Sequence, residues 1–266
     1  MTDLASPLAD HRVRAVPLSG RSTALLAVVT PLAVAAFAWP LWFNPGPLAH
    51  NGQVAPLVFA LILPVVIAVV ISHLTGDDLD VKALALLGVM SAVVAVVRPL
   101  GAGTAGIETV FFPIIIAGRA LGPGFGFVLG TTGLLTSALL TGGVGPWLPY
   151  QMLAAALVGL FAGLLPRVRG WLEVAMLAVW ALVISFVYGW LMDLSFWPFM
   201  TGLETTVSYD PTAGTLGNLH RFALYNLATS MGWNLGRALT TAALILVLGA
   251  PLLRVLRRAA RRGRFA

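Results

Sequence analysis

The side chains in this sequence that could do chemistry are few and fall in three places. From Arg221 to Arg237 the chain carries Arg221, Tyr225, Asn226, Thr229, Ser230, Asn234 and Arg237 within an apolar run. Spacings of three and four residues put Asn226, Ser230, Asn234 and Arg237 near one stripe of a helix. Amides, a hydroxyl and a guanidinium offer hydrogen bonds rather than a nucleophile. Two uses satisfy the same constraint, because a polar group turned toward lipid is costly: a seam between helices, or the wall of a wet cavity. The second place is LTGGVGPWLPYQM, Leu140 to Met152, an uncharged reversal with three glycines and two prolines. Gly142, Gly143 and Gly145 permit positive φ and close approach of backbone to a ligand. Trp147 and Tyr150 offer flat apolar area with one polar handle each, and Gln151 both donates and accepts. A plain hairpin with interfacial aromatics is the competing reading. The third place is DDLD, with Asp77, Asp78 and Asp80. Magnesium-diphosphate chemistry would need a second acidic cluster, whereas capping of the following helix accounts for these carboxylates.

Catalytic sets are missing. The chain has no cysteine, which excludes disulfides and thiolate chemistry. His11, His50, His73 and His220 are scattered without zinc spacing. No serine sits in a GxSxG elbow, and no nucleotide-binding motif occurs. The expectation is a protein that is not an enzyme and holds no cofactor of its own.

The elements that must position these groups are apolar helices. Of 266 residues, 59% are hydrophobic and only 10% charged, with a mean hydropathy of +0.92. Soluble domains carry about 25% charged residues, so the chain is an all-α polytopic membrane helix bundle. A span needs roughly 20 apolar residues. Eight segments approach that length: 23–43, 55–74, 81–98, 106–119, 123–141, 148–166, 171–192 and 219–256. The fourth is short and carries Pro113. The first follows Arg12, Arg14 and Arg21 but is long for a signal core, and reads as an uncleaved helix.

The net charge of +6 is a matter of placement. Arg254, Arg257, Arg258, Arg261, Arg262 and Arg264 lie in the last thirteen positions, a basic anchor against anionic lipid rather than a nucleic-acid surface. With the N-terminus inside, cytoplasmic segments hold Arg12, Arg14, Arg21, Lys82, Arg119, Arg167, Arg169 and that cluster. External loops keep only Arg98 and Arg221, with Glu108, Asp193, Glu204 and Asp210. This asymmetry predicts a multi-pass cell-membrane protein with both termini cytoplasmic. The loops at 99–107, 142–148 and 193–218 then face outward. Small residues at Gly118, Gly122, Gly126 and Gly130 (interrupted by the turn at Gly122-Pro123), at Ala155, Gly159 and Gly163, and at Gly88, Ser91, Ala92 and Ala95 form ridges for close helix packing. At least one ridge could face a separate subunit.

The stretches AGRALGPGFGFVLG, LLTGGVGPWLPYQMLAAALVGLFAGLLP, SFWPF and TSMGWNLGRAL together resemble the substrate-binding S component of energy-coupling factor (ECF) transporters. The resemblance covers about Ala83 to Arg262. Its GGVGPW…QM part resembles the actinobacterial branch often associated with cobalamin-type substrates. The resemblance implies a six-helix substrate-binding core over 81–256, preceded by a cytoplasmic tail at 1–22 and two extra helices at 23–80. A basic cytoplasmic tail follows at 257–266. It implies capture of a vitamin-like small molecule, with a T-type transmembrane subunit and two ATPase subunits as partners that consume the ATP. On that basis the substrate-binding candidates are Arg98, Glu108, Trp147, Tyr150, Gln151, Trp197, Tyr225, Asn226 and Asn234. The T-subunit face would be Gly88, Ser91, Ala92 and Ala95, which show GxxxA and SxxxA in place of AxxxA. The alternative function is a self-sufficient secondary transporter or channel for a small organic solute. It would require ion-coupling carboxylates at mid-membrane, whereas the acidic residues here are expected at span ends or in loops.

Overall fold

The computed structural model describes residues 18–42, 64–69, 72, 79, 81–101, 105–200 and 205–262. Most of the apolar segment 55–74 lies outside these residues, as do Asp77, Asp78, Asp80, His11, His50 and His73. No strand occurs among the described residues. The helices are α1 (Gly20–Phe37), α2 (Trp39–Trp42), α3 (Val81–Val97), α4 (Phe111–Leu121), α5 (Pro123–Thr141), α6 (Leu148–Leu164), α7 (Trp171–Met200), α8 (Gly214–Thr229) and α9 (Met231–Arg262). A 3-10 turn, Arg98–Leu100, follows α3. Among the described residues, five stretches are long and apolar enough to cross a membrane: Gly20–Phe37, Val81–Leu100, Pro123–Thr141, Trp171–Phe199 and Met231–Arg261.

The centre of the bundle is α4 packed among α5, α6 and α9. Nine of the eleven residues of α4 are buried. At 1.5 Å per residue it is only about 16 Å long, well short of a bilayer's hydrocarbon thickness. Pro113 stands in its first turn, where its missing N–H breaks no helical bond. The small-residue ridges close this centre by backbone contact. A Cβ on Gly126 would lie 2.4 Å from the carbonyl oxygen of Gly159, and one on Gly130 would lie 2.3 Å from that of Ala155. These two ridges therefore face each other within the chain, as close packing requires.

The third ridge divides. Ser91 and Ala95 are buried, and Ser91 Oγ meets Thr132 Oγ1 of α5 at 2.8 Å. Gly88 and Ala92 are exposed beside Val89 and Val96. Half of the expected partner face is thus spent on internal packing, because the four residues spread over roughly 100° of the α3 surface and α5 covers only the Ser91–Ala95 edge. Other exposed apolar side chains, such as Leu139, Val179 and Val247, face outward from the bundle as lipid-facing positions do.

Two boundaries depart from expectation. The segment 171–192 continues as helix to Met200, so Asp193 and Trp197 are helical rather than in a loop. The run 219–256 is two helices that meet at Ser230, whose backbone (φ −111°, ψ −13°) turns the chain. The α9 helix then continues to Arg262, past the position where the basic tail is expected to begin.

Candidate functional site

At the end of the bundle that bears Arg98, six segments deliver polar groups to one nucleus. Arg98, in the turn after α3, donates from Nη2 to Gln151 Oε1 in the first turn of α6 at 2.9 Å. Glu108, partly buried just before α4, feels the charges of both Arg237 and Arg98. Arg237 on α9 donates from Nη1 to Asn234 Oδ1 at 2.8 Å and, at 3.4 Å, to the carbonyl of Ser185 on α7. Its guanidinium lies 5.1 Å from the ring centre of Tyr188 and 6.0 Å from that of Phe111, a cation beside two aromatic rings that touch each other. Asp193 on α7 accepts from Asn226 Nδ2 of α8 at 2.5 Å, with Ser230 close by. Two arginines and two carboxylates share this nucleus, yet none of the four closes an ion pair among the described residues.

Several donors here are unsatisfied. Arg237 can only donate, so Asn234 must turn its oxygen toward it and present Nδ2 elsewhere. That Nδ2, Arg237 Nε, Ser185 Oγ and Thr241 Oγ1 are buried and find no partner among the described residues. Each such group costs roughly 1–3 kcal/mol when left unpaired. The arrangement also depends on Gly189 of α7, since a Cβ there would sit 1.8 Å from Asn234 Oδ1.

The loop over this nucleus is held by close backbone contact. Gly106 adopts φ +75°, and a Cβ on it would lie 2.4 Å from the carbonyl oxygen of Trp233. The Thr109 hydroxyl ties the same loop to the Val97 carbonyl.

An aromatic cluster adjoins the nucleus. Trp197 is fully buried and donates its indole N–H to the Val207 carbonyl at 2.8 Å. Its ring meets Tyr209 and Phe222, each at 5.5 Å, and Tyr225 at 6.5 Å. The loop following Trp197 is tied by Asp210. That residue accepts from the Thr212 amide and hydroxyl and from Arg221 Nη2. The bonds from Thr212, with Arg221 assisting, hold the Asp210 carboxyl below the usual carboxylate range. Tyr150 is fully buried between Phe37 and Phe196, at 5.2 and 5.5 Å.

The sequence-derived residues therefore sort into groups. Arg98, Glu108, Gln151 and Asn234 meet in the nucleus, and Asn226 joins it through Asp193. Trp197 and Tyr225 form the neighbouring cluster. Tyr150 packs against α1 instead of facing the nucleus as a lip. Trp147 is 45% exposed, and its indole lies on its own loop, where a Cβ at Gly145 would be 2.4 Å from the ring. Of the three glycines in that reversal only Gly142 takes positive φ, +67°. The stripe Asn226–Ser230–Asn234–Arg237 survives the turn between α8 and α9, because backbone bonds Ser230 N to Asn226 O and Asn234 N to Ser230 O carry it through. Sequence reasoning missed Ser185, Tyr188, Gly189 and Thr241 and placed Asp193 in a loop. Apart from the isolated Ser185 and Asp193 at the two ends of SFVYGWLMD, nothing local marks them.

At the opposite end one carboxylate is fully paired. Glu173 of α7 accepts from Arg119 Nε of α4 at 2.6 Å and from Arg257 of α9 at 2.6 and 2.9 Å. Arg119 also donates to the Leu165 carbonyl at 2.8 Å. An apolar crevice of about 130 Å³, lined by Val34, Leu157, Phe161, Ile184 and Leu191 among others, lies where α1 crosses α6 and α7. No group of three or more metal-ligating side chains occurs among the described residues.

Residues 82–250 match the family described as ECF transporter, substrate-specific component. Searches of curated proteins and of solved structures returned no match. An apolar all-α bundle with a polar nucleus near one end, matched to that family over more than half its length, belongs to the substrate-specific components of ECF transporters, membrane proteins of solute uptake.

Proposed function

We propose that this chain captures a vitamin-like solute at the outer face of the cell membrane, in the nucleus around Arg98, Glu108, Gln151, Asn234 and Arg237. The observation that carries this reading is the set of buried donors without partners on α7 and α9. An interhelical seam would satisfy its own hydrogen bonds, whereas a solute bearing carbonyl or amide acceptors would supply what is missing. Trp197, Tyr225, Asn226 and Tyr150 support its walls, and Trp147 stands at the rim. A cobalamin-type solute, whose periphery is rich in amide carbonyls, is the first to test. Charge supports the orientation: Arg119, Arg167, Arg169 and, on the last turns of α9, Arg254, Arg257, Arg258 and Arg261 crowd the end that would be cytoplasmic. The partners would be a T-type subunit and two ATPases, with the exposed Gly88 and Ala92 stripe of α3 as the docking face. Residues 81–256 would form the transport core.

The test has two arms. Mass spectrometry of the purified protein should find one co-purifying small molecule, and cyanocobalamin titration should saturate at one equivalent. The absence of any bound or titratable solute would sink the binding reading. Co-expression with a T subunit and its ATPases should yield ATP-dependent uptake, and Ala92→Leu should weaken that assembly. Because the chain has no cysteine, Val144→Cys and Thr212→Cys should react with an impermeant maleimide on intact cells. Arg169→Cys should not; its labelling would invert the topology. A second reading rests on Asp193, a carboxylate inside α7: a carrier coupled to ions. Uptake by the chain alone, driven by an ion gradient and indifferent to ATP, would favour it.

A further inference from the structure

The family match begins at residue 82, yet the turn joining α1 and α2 is built into the region beside the candidate site. Phe37 is fully buried with its ring edge against Tyr150, the residue before Gln151, which holds Arg98. The Phe37 carbonyl accepts from Ser195 Oγ of α7 at 3.4 Å, and the Ser195 carbonyl accepts from the Trp39 indole N–H at 3.2 Å. The Trp39 ring lies 5.6 Å from Phe199. Two residues further on, the Leu41 carbonyl accepts from Thr215 Oγ1 of α8 at 2.9 Å. Ala38 and Leu41 pack against the cluster of Leu194, Trp197 and Phe222. A six-residue segment thus grips the outer end of α7 and the first turn of α8 together.

The α8 helix needs such a grip. Its far face exposes Leu216 at 82% and Leu227 at 61%. Its attachment to α7 is the Asn226–Asp193 bond and the rings of Phe222 and Tyr225 on Trp197. Elements with few buried apolar contacts open locally at low cost. We infer that Phe37–Trp42 is a strap that holds α8 closed beside the polar nucleus and seats Tyr150, so that the N-terminal helices are positioning elements of the solute-binding unit. Their link to solute rests on the function proposed above; the strap itself does not.

The test uses the full chain in detergent. Leu194→Cys reports opening between the strap, α7 and α8, and Ala156→Cys, buried where α5 meets α6, reports global unfolding. Adding Trp39→Ala with Thr215→Val should raise the maleimide labelling rate at position 194 by roughly tenfold while leaving position 156 protected, as local opening demands. An unchanged rate at 194, or equal rises at both positions, would overturn the strap. Cyanocobalamin, or the solute identified by mass spectrometry, is the binding probe. The strap variant should bind it roughly tenfold more weakly, with Trp39→Phe in place of Trp39→Ala recovering part of the loss. Normal affinity in a variant that labels faster would overturn the positioning role. A wild-type protein that binds no solute would overturn the proposed function instead, leaving the labelling to decide the strap.

Discussion

Around Glu173 a single carboxylate receives three hydrogen bonds from two arginines, and its side chain is only 5% exposed. Around Arg237, at the other end of the same two long helices, two arginines and two carboxylates lie near one another without closing an ion pair among the described residues, and donors are left over. Both clusters sit in a low-dielectric bundle, where a charge must be compensated to be tolerated. The first is compensated by the protein itself and joins α4, α7 and α9. The second is compensated in part, as the solute site proposed above requires. Charge content alone would not separate them; the completeness of pairing does.

The largest expected effect breaks the closed end. Glu173→Ala leaves Arg119 buried at 7% exposure without its partner. Removing one member of a buried pair costs about 3–5 kcal/mol, so this variant should melt far below the wild type while the folded fraction binds solute normally. A loss under about 1 kcal/mol would mean that the triad is screened like a surface pair.

The next variant sharpens the contrast at the open end. Asn234→Leu removes an unpaired donor but also the oxygen that accepts from Arg237, so stability should fall by about 1–3 kcal/mol, while solute affinity should fall roughly tenfold to a hundredfold. Calorimetry and a melting curve on one preparation separate the outcomes. Lower stability with normal affinity would make the stripe a seam.

A smaller effect distinguishes rim from nucleus. Gln151→Ala releases Arg98 and should weaken binding roughly tenfold, as loss of a charge-assisted hydrogen bond does. Trp147→Ala should stay within about threefold, since a half-exposed aromatic excludes little water from a site. Equal losses would bring the reversal back into the pocket.

The smallest effect concerns pH. The folded pKa of Asp210 is depressed by Thr212 and Arg221, so its contribution to the loop is present above the unfolded value of about 3.9 and lost as pH falls through the folded value. Amide exchange at Thr212 and Ala213 should be flat from pH 5 to 8, after correction for intrinsic rates, and lose protection below about pH 4. Asp210→Asn should remove that step; a step near neutrality would point to a different group.

Length and apolar composition by themselves determined an all-α membrane bundle, because roughly 20 apolar residues per helix leave few alternatives in lipid. They also determined the packing ridges at Gly118, Gly126 and Gly130 and the stripe from Asn226 to Arg237, since both follow from helical period. Helix ends were less legible. The extension of α7 through Trp197 and the turn at Ser230 occur inside runs whose hydropathy continues across them. The nucleus was decided by tertiary structure alone. Ser185, Gly189 and Asp193 on α7 are meaningful only against Asn234, Arg237 and Asn226 some 30 to 50 positions later, and no local spacing encodes that meeting. The same holds for Tyr150, whose partner Phe37 is brought to it by the path of α1, and for Ser91 and Ala95, which α5 covers. Period fixes which face of a helix is special; only the packed neighbour decides whether that face meets lipid, another helix or a solute.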